Sequence, residues 1–452
     1  MQLEWIRCEV MKSTSFSAVQ MSLPWIDNRP RFADVSRERL STNTTTNRYA
    51  IHRWFNFIAG FAPEFVAQQC PKPEGALLLD PFAGCGTSLV TAQQLGHRAV
   101  GFEPHPFFVR IARAKTGVLP TSARLQRIEK TLLEGIQVPE KAAILTESAE
   151  TFLAKLFDEH TLRQLLAARA ALEESHLSGD DLAFLLLSRV IDMCSKAQTD
   201  GIYKAPTTAK KAESPVNAIR IVVEQIWSDT VQAGQVAILP TAVLHEASSE
   251  NMSVVEPSSV DIAVTSPPYL NNFDFAEMTR MYLYFWGICG SWREITESVR
   301  AKLIVNTTTA LAGQRGIQAQ YRDQIAGELL SELDGIVAAL ARERRVRAGK
   351  KEYDLLVYPY FAQMTRVLLE VQRCLVTGGA AHVVISDAAF YGIHVSTPQF
   401  LASAMSIMGF TDVQCVKLRD RGHRWILDKR DGSSTGLGEY HVCAKRKASA
   451  QW

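Results

Sequence analysis

A glycine-rich turn between an apolar run and a helical pattern is the feature that most constrains the fold of this chain. Residues 76–79 read Ala-Leu-Leu-Leu, residues 80–87 read Asp-Pro-Phe-Ala-Gly-Cys-Gly-Thr, and residues 88–95 have apolar side chains at helical spacing. Glycine permits positive φ and close approach of a ligand, and the first turn of a helix offers unpaired N–H groups. The pattern therefore predicts a strand, a ligand-binding turn of the nucleotide type and a helix.

A second predicted strand follows this turn and ends at an acidic residue. Residues 98–102 form the run, and Glu103 comes directly after it. An acidic residue roughly 20 positions beyond the glycine turn binds a ribose diol in doubly wound sheets. The turn has neither the G-x-G-x-x-G spacing of dinucleotide-binding proteins nor the Gly-Lys-Ser/Thr of a P-loop. The spacing thus argues against a dehydrogenase.

A stiff turn ends a third predicted strand. Residues 260–264 are an apolar run, and residues 265–269 read Thr-Ser-Pro-Pro-Tyr. Proline has no backbone N–H and holds φ near about −65°, so the strand ends here and leaves carbonyls that can accept hydrogen bonds. Ser266 adds a hydroxyl and Tyr269 an aromatic face. The turn suits binding of a flat molecule with an exocyclic amine, although two prolines can also end a strand without any function.

In this order, the two motifs resemble those of the S-adenosylmethionine-dependent DNA amino-methyltransferases, which modify the exocyclic amine of cytosine or adenine. The longer string at residues 266–275, with Arg280 downstream, is also similar to this family. So are residues 52–57 (His-Arg-Trp-Phe-Asn-Phe) and 61–65 (Phe-Ala-Pro-Glu-Phe), ahead of the first motif. The resemblance covers the sheet-forming parts of the chain and not the helical stretches between them.

The resemblance implies S-adenosylmethionine as cofactor. Asp80 would contact its methionine amino group, Glu103 its ribose hydroxyls, and Glu246 its adenine amine, where Asp is commoner in the family. The upstream segment that ends at Phe57 would hold the methionine end. The full predicted set is Phe57, Asp80, Pro81, Phe82, Gly84, Gly86, Thr87, Glu103 and Glu246.

The predicted catalytic turn consists of Ser266, Pro267, Pro268 and Tyr269. An aromatic amine is a poor nucleophile, because its lone pair is delocalised into the ring. The hydroxyl of Ser266 and the carbonyl of Pro267 would accept its two N–H groups and bind it more strongly as the nitrogen becomes tetrahedral. Tyr269 would stack on a base flipped out of the duplex. Ser before Pro-Pro is more frequent in the cytosine branch of the family, so 4-methylcytosine is favoured over 6-methyladenine as the product.

The distribution of charge favours a nucleic-acid partner. Lys and Arg number 49 against 47 Asp and Glu, a net charge of +2. Basic residues nevertheless cluster at 342–351, at 419–430 and, more thinly, at 196–220. Each cluster alone is typical of a solvated face, but three in a nearly neutral chain predict a polarised molecule that contacts the phosphates of double-stranded DNA. The residues predicted to bind nucleic acid are Asn271, Arg280, Arg344, Arg345 and Arg347.

Cysteine spacing and hydropathy predict a cytoplasmic protein without a metal. The 8 cysteines are scattered and include no Cys-x-x-Cys pair, which argues against a zinc site and a disulfide framework. No apolar run reaches the roughly 18–20 residues that span a bilayer, and the N-terminus does not have a signal-peptide layout. We therefore expect no membrane partner; a restriction or defence partner is not identified by the sequence.

The predicted fold class is α/β, with a three-layer Rossmann-like methyltransferase sheet, helical insertions and a terminal β-hairpin between Arg424–Asp428 and Glu439–Ala444. The predicted parts are an N-terminal arm (1–47), a cofactor-binding half (48–118), a helical insertion (119–238), a catalytic part (239–289), a second insertion for DNA recognition (290–352) and a C-terminal part of the methyltransferase domain (353–452). Apolar residues at helical spacing predict helices over 151–172 and 182–194, with a break and a cap at 178–181 between them. A further amphipathic helix is predicted over 354–375, stopped by the glycine pair at 378–379. Two alternatives stay open at this point. One is an RNA base-amine methyltransferase, and the other is a non-catalytic nucleic-acid-binding protein on the same fold.

Overall fold

The computed structural model describes residues 31–447, except 56, 58, 72, 73, 200–203, 235–238, 272, 273, 307–310, 312–315, 317, 347–350 and 422–435. The strands are β1 (Leu77–Asp80), β2 (Arg98–Phe102), β3 (Ala197–Thr199), β4 (Lys204–Ala209), β5 (Ala242–His245), β6 (Val260–Thr265), β7 (Leu375–Ser386), β8 (Ala388–Phe390), β9 (Ile393–Val395), β10 (Phe410–Asp420) and β11 (Gly438–Arg446).

The α-helices are α1 (Arg37–Leu40), α2 (Pro63–Gln69), α3 (Thr87–Gln94), α4 (Pro106–Thr116), α5 (Ser122–Gly135), α6 (Glu147–Leu153), α7 (Glu159–Glu174), α8 (Asp181–Cys194), α9 (Pro215–Gly234), α10 (Phe275–Met278), α11 (Arg280–Phe285), α12 (Trp292–Glu294), α13 (Gln318–Arg322), α14 (Gly327–Val346), α15 (Val357–Cys374) and α16 (Thr397–Ile407). No helix in the described part of the chain is both long and apolar enough to cross a membrane.

Seven of the described strands form one mixed sheet in the order β10-β11-β7-β6-β1-β2-β5. The neighbours from β7 to β5 pair in parallel, while β11 pairs antiparallel with both β7 and β10. The predicted Rossmann-like α/β fold with an antiparallel terminal pair is thus confirmed. The chain leaves β1 toward β2 and β5, and later returns to place β6 on the other side of β1. The order reverses between β1 and β6, and open α/β sheets bind ligands at such a point.

Helices cover both faces of the sheet, as parallel strands of continuous apolar sequence require. Leu78 of β1 packs on one face with Phe65 of α2 and Leu89 of α3. Its neighbour Leu79 points to the other face and packs in a cluster that includes Val367 of α15. Side chains of successive strand residues point in opposite directions, so these two leucines show the three layers directly.

A helical region between β2 and β5 contains α5 to α9 and the two-stranded β3–β4 ladder. Asp180 caps α8, and its carboxylate accepts hydrogen bonds from the backbone N–H groups of Leu182 (2.8 Å) and Ala183 (3.1 Å), as its sequence position predicted. The helical pattern predicted over 151–172 is divided between two helices in the structure: α6 ends at Leu153, and α7 begins at Glu159. The proposed domain boundaries stay predictions.

Two boundaries near the C-terminus differ from the sequence prediction. The helix expected over 354–375 begins as a 3-10 turn and continues as α15 to Cys374. It ends before the glycine pair at 378–379, because the extended β7 begins at Leu375 and includes both glycines. The described strand that precedes β11 and pairs with it at the sheet edge is β10, whereas the predicted first arm of the hairpin, Arg424–Asp428, lies outside the described residues.

Candidate active site

A cleft opens at the carboxyl ends of β1, β2 and β6. The space between its lining residues, including the solvent at its mouth, is about 660 Å³. It is lined by Phe57, Ala59, Phe82, Gly84, Cys85, Glu103, Pro104, His105, Phe108, Ser248, Ser249, Ser266, Pro268, Phe275, Lys302, Leu303 and Ile304. The two sequence motifs therefore contribute to one cavity, together with residues 302–304 of the predicted second insertion.

The two glycines of the first motif serve different purposes. Both have positive φ, 51° at Gly84 and 87° at Gly86, where L side chains are strained. A Cβ at Gly86 would lie 3.2 Å from the Cβ of Ala112 in α4, so this glycine also allows close helix packing. A Cβ at Gly84 would meet nothing within 4 Å, and Gly84 lines the cleft. The open space at Gly84 is thus available to a ligand.

Glu103 lies at the base of the cleft with both carboxylate oxygens bound to backbone. Oε2 accepts from the N–H of Gly84 (2.9 Å) and Oε1 from the N–H of His105 (2.8 Å). The side chain is buried, and desolvation raises the pKa of Glu103 to about 7. The acid predicted from its distance to the glycine turn therefore holds that turn in place.

Asp80 does not line the cleft, because its carboxylate is buried below the glycine turn. Oδ1 accepts from the hydroxyl of Thr265 (2.6 Å) and the N–H of Phe82 (3.0 Å), and Oδ2 accepts from the hydroxyl of Ser88. Burial raises the pKa of Asp80 to about 6. The Thr265 bond joins the first motif to the second across neighbouring strands.

Asp80 and Glu103 form a buried acidic pair. Neither carboxylate makes an ion pair with a lysine or arginine among the described residues, and the charge of Asp80 contributes to the raised pKa of Glu103. Uncompensated buried charge is costly, which is why both pKa values are raised, and a nearby cation would favour the ionised forms. This region of the cleft is therefore suited to a positively charged ligand.

The Ser-Pro-Pro-Tyr turn presents Ser266 and Pro268 to the cleft. The fully buried Tyr360 donates its hydroxyl to the Pro268 carbonyl at 3.0 Å, which fixes the turn. Tyr269 does not line the cleft: it is 8% exposed, and the guanidinium carbon of Arg421 lies 5.5 Å from its ring centroid. Burial raises the pKa of Tyr269 well above the usual value. Pro81, Gly86, Thr87 and Pro267 also lie outside the cleft lining.

Glu246 follows β5 but points away from the cleft. Its side chain is 45% exposed and pairs with Arg113 of α4 at 3.8 Å. Ser248 and Ser249 line that part of the wall instead. The expected contact of Glu246 with an adenine amine thus stays a prediction, which this geometry does not favour.

The predicted nucleic-acid residues occupy different places. Arg280 lies outside the cleft, with its guanidinium 4.0 Å from the ring centroid of Phe152 and 4.8 Å from that of Trp292. Arg344 in α14 pairs with Glu352 (3.4 Å) and Asp354 (3.1 Å). Arg345 is exposed, Asn271 is half-buried, and Arg347 lies outside the described residues.

His105 is a cleft residue that the motifs did not indicate. It is fully buried; Nδ1 accepts from the N–H of Phe107 (3.2 Å), so Nε2 carries the proton and donates to Thr279 Oγ1 (2.9 Å). Burial lowers the pKa of His105 to about 3, which keeps it neutral. The signal was present, since His followed by Pro106 is typical of a helix start with proline at its first position.

The segment that leads to Phe57 contains a strained turn. Ile51 has φ 68° although it is β-branched and buried, and the N–H of His52 donates to the Ala50 carbonyl at 2.8 Å, as in a γ-turn. Asp229 of α9 is fully buried and accepts from the N–H of Ile51 (3.1 Å) and from the guanidinium of Arg53 (3.0 Å). The helical region thus holds the segment that forms one wall of the cleft.

Comparison with known proteins shows similarity to Type II methyltransferases along most of the chain. The chain is 22% identical over 467 residues to the Type II methyltransferase M.BsoBI of Geobacillus stearothermophilus, covering 92% of this chain and 88% of that protein. It is 22% identical over 393 residues to the Type II methyltransferase M.AvaI of Nostoc sp., covering 79% of each. No protein-family model matches. The names of both relatives agree with the methyltransferase predicted from the motifs.

Solved structures with similar chains are also methyltransferases. One is a SAM-dependent methyltransferase of Methanosarcina mazei, at 9% identity and a TM-score of 0.28, covering 83% of this chain and 95% of that one. Another is the rRNA methyltransferase aviRa of Streptomyces viridochromogenes, at 10% identity and a TM-score of 0.26, covering 85% and 83%.

Proposed function

We propose that this protein is an S-adenosylmethionine-dependent DNA methyltransferase that modifies the exocyclic amine of a flipped base, with cytosine favoured over adenine. The observation that carries the proposal is the single cleft shared by Gly84, Glu103, Ser266 and Pro268. The similarity to Type II methyltransferases, the modification enzymes of restriction–modification systems, supports DNA as the substrate.

The residues of the cleft fit this cofactor. S-adenosylmethionine supplies, when bound, a methyl group on a positively charged sulfur. Its positive charge would compensate the buried carboxylates of Asp80 and Glu103, and the open space at Gly84 would let it approach the backbone. Phe57 and Phe108, whose ring centroids lie 4.6 Å apart, form an apolar wall for its uncharged parts. Glu103 retains further lone pairs that would accept from ribose hydroxyls.

The proline turn would bind the target amine. Tyr360 already occupies the Pro268 carbonyl, so the Ser266 hydroxyl and the Pro267 carbonyl are the acceptors proposed for the two amine N–H groups. Ser266 lines the cleft, so its hydroxyl is in place for the nitrogen as positive charge develops. Pro267 does not line the cleft, so its carbonyl would have to become accessible to the amine. Stacking of the base on Tyr269 would require the ring to become accessible, since Arg421 now lies over it.

Double-stranded DNA is the proposed partner, and its backbone would contact cationic side chains of the region between α11 and α15. Lys302 is exposed and lines the cleft, and Arg342 and Arg345 are exposed near the end of α14. These residues belong to the region between α11 and α15, which supports the proposed role of this region in DNA recognition. Lysine and arginine at such positions contact phosphates without regard to sequence.

Transfer of tritiated methyl groups from S-adenosylmethionine to DNA and to RNA tests the function, followed by mass spectrometry of the nucleosides. We expect 4-methylcytosine in DNA. Label in 6-methyladenine would reassign the base, and label in RNA alone would contradict DNA as the substrate. Cofactor binding by calorimetry without transfer to either polymer would indicate a non-catalytic nucleic-acid-binding protein.

A further inference from the structure

Two histidines and a cysteine converge between β7 and β11, and none of the three lines the cleft. Nδ1 of His382 lies 3.0 Å from Nε2 of His441. One ring nitrogen of each histidine and the sulfur of Cys443 all lie within 4.8 Å of one another, and the three side chains are half-buried. Nitrogen and thiolate ligands of this kind are those that zinc prefers.

Strand register brings the three side chains together. Cys443 lies directly opposite His382 in the antiparallel β7–β11 ladder. His441 is two residues before Cys443, so both point to the same face of β11. Phe65 of α2 closes this face, with its ring centroid 5.0 Å from that of His441. The cluster is therefore held by sheet pairing and helix packing rather than by a loop.

We propose that His382, His441 and Cys443 bind a zinc-class divalent metal ion. Zinc bonds of about 2.0–2.1 Å to nitrogen and about 2.3 Å to sulfur, arranged tetrahedrally, separate the ligand atoms by roughly 3.3–3.6 Å. The two nitrogens, 3.0 Å apart, already approach this spacing, and the sulfur reaches it by a side-chain adjustment. Water would complete the four ligands.

The bound ion would link two strands of the sheet. It joins β7 to β11, and β11 pairs in turn with the edge strand β10. A metal that binds only the folded chain stabilises it. A hydrogen bond between two neutral imidazoles is the competing explanation for the His382–His441 contact, but it assigns nothing to Cys443. The thiol therefore distinguishes the two explanations.

The test is metal analysis and cobalt substitution of the purified full-length protein. We expect about one zinc per chain and, after exchange to Co²⁺, a sulfur-to-cobalt charge-transfer absorption. Cys443→Ser and His382→Gln should lose the bound metal, and Cys443→Ser should abolish the absorption. Cys415→Ser is the matched control, because Cys415 is a half-buried cysteine of β10 that pairs with Val442 and so points to the opposite face.

Circular dichroism of each variant distinguishes loss of metal from loss of fold. The proposal is overturned if the wild type binds neither zinc nor Co²⁺ with a thiolate absorption, or if Cys443→Ser retains that absorption. Chelation should lower the melting temperature of wild type and of Cys415→Ser, and should leave that of Cys443→Ser unchanged. Equal sensitivity of all three proteins to the chelator would also contradict a site at Cys443.

Discussion

Ser266 is the side chain through which the proposed chemistry acts most directly. Ser266→Ala removes one acceptor for the amine, and that hydrogen bond strengthens only as the nitrogen turns tetrahedral. A loss of about 2–4 kcal/mol corresponds to a roughly 30- to 1,000-fold lower kcat. Cofactor affinity should not change. Single-turnover kinetics and calorimetry measure both quantities, with the exposed Ser253→Ala as control; wild-type kcat in Ser266→Ala would rule out the proposed role.

The raised pKa of Glu103, about 7, predicts how pH acts on the protein. Folding favours the neutral acid, so this contribution to stability is present below the unfolded-state value of 4.5 and is lost as pH rises through about 7. The cationic cofactor favours the ionised form, so its affinity should rise from pH 6 to pH 8. Glu103→Gln should flatten both dependences.

Calorimetry and thermal unfolding between pH 5.5 and pH 8.5 measure these two dependences. Glu224→Gln is a matched control, because Glu224 is an exposed acid of α9 outside the cleft lining. S-adenosylhomocysteine does not have the charged sulfonium, so its affinity should depend less on pH. An affinity of wild type for S-adenosylmethionine that is constant with pH would contradict the link to the buried acids.

The sequence predicted the positions of individual site residues correctly where strand order and chain direction alone determine those positions. Glu103 follows a strand one crossover after the glycine turn, which fixed its position. Glu246 follows the edge strand β5, where the side-chain direction depends on tertiary partners, and it turns to Arg113. The burial of Tyr269 beneath Arg421 could not be foreseen, because Arg421 is distant in sequence and reaches the turn only through β10.

At the scale of elements, α9 controls the segment ahead of the glycine turn. The carboxylate of Asp229 accepts hydrogen bonds from the N–H of Ile51 and from the guanidinium of Arg53. Asp229→Asn replaces this charged acceptor with a neutral amide and leaves the donors poorly paired. Such a loss costs about 1–3 kcal/mol of stability. Because the same segment leads to Phe57 in the cleft wall, cofactor affinity should also fall.

Thermal unfolding and cofactor calorimetry of Asp229→Asn test this role. Glu224→Gln, an exposed change on the same helix, is the control. A variant with lowered stability but unchanged cofactor affinity would show that Asp229 supports the fold alone.

The elements that sequence patterns located well are those with local signals. The Asp180 cap and the strand–glycine–helix unit were predicted because their hydrogen bonds join neighbours in the chain. The contribution of residues 302–304 to the cleft was missed, since it arises from packing between elements far apart in sequence. The convergence of His382 with Cys443 was missed for the same reason, and the expectation of no metal came from cysteine spacing alone.

For the whole molecule, the end of α14 should contribute to DNA binding through its exposed arginines. Changing Arg342 and Arg345 to Gln should weaken binding at all sequences and reduce the salt slope by about one unit per lost phosphate contact. Arg344 is a different case, because its neutralisation would leave the buried Asp354 without its ion pair. Affinity measured across salt concentrations tests the double variant, with the exposed Arg163→Gln on α7 as control. An unchanged slope would make this surface only a solvated face.

The hydrogen bond from Thr265 to Asp80 couples the proposed cofactor site to the proposed site of the target base. One end of this bond lies under the turn proposed for the cofactor, and the other immediately precedes the turn proposed for the base. A ligand that repositions either end changes the free energy of binding at the other, and such coupling is reciprocal. We therefore expect the protein to bind the cofactor more tightly when a DNA base is inserted into the site. By reciprocity, bound cofactor should favour insertion of the base by the same factor. Encounters with DNA should then lead to base insertion more often when the cofactor is already bound.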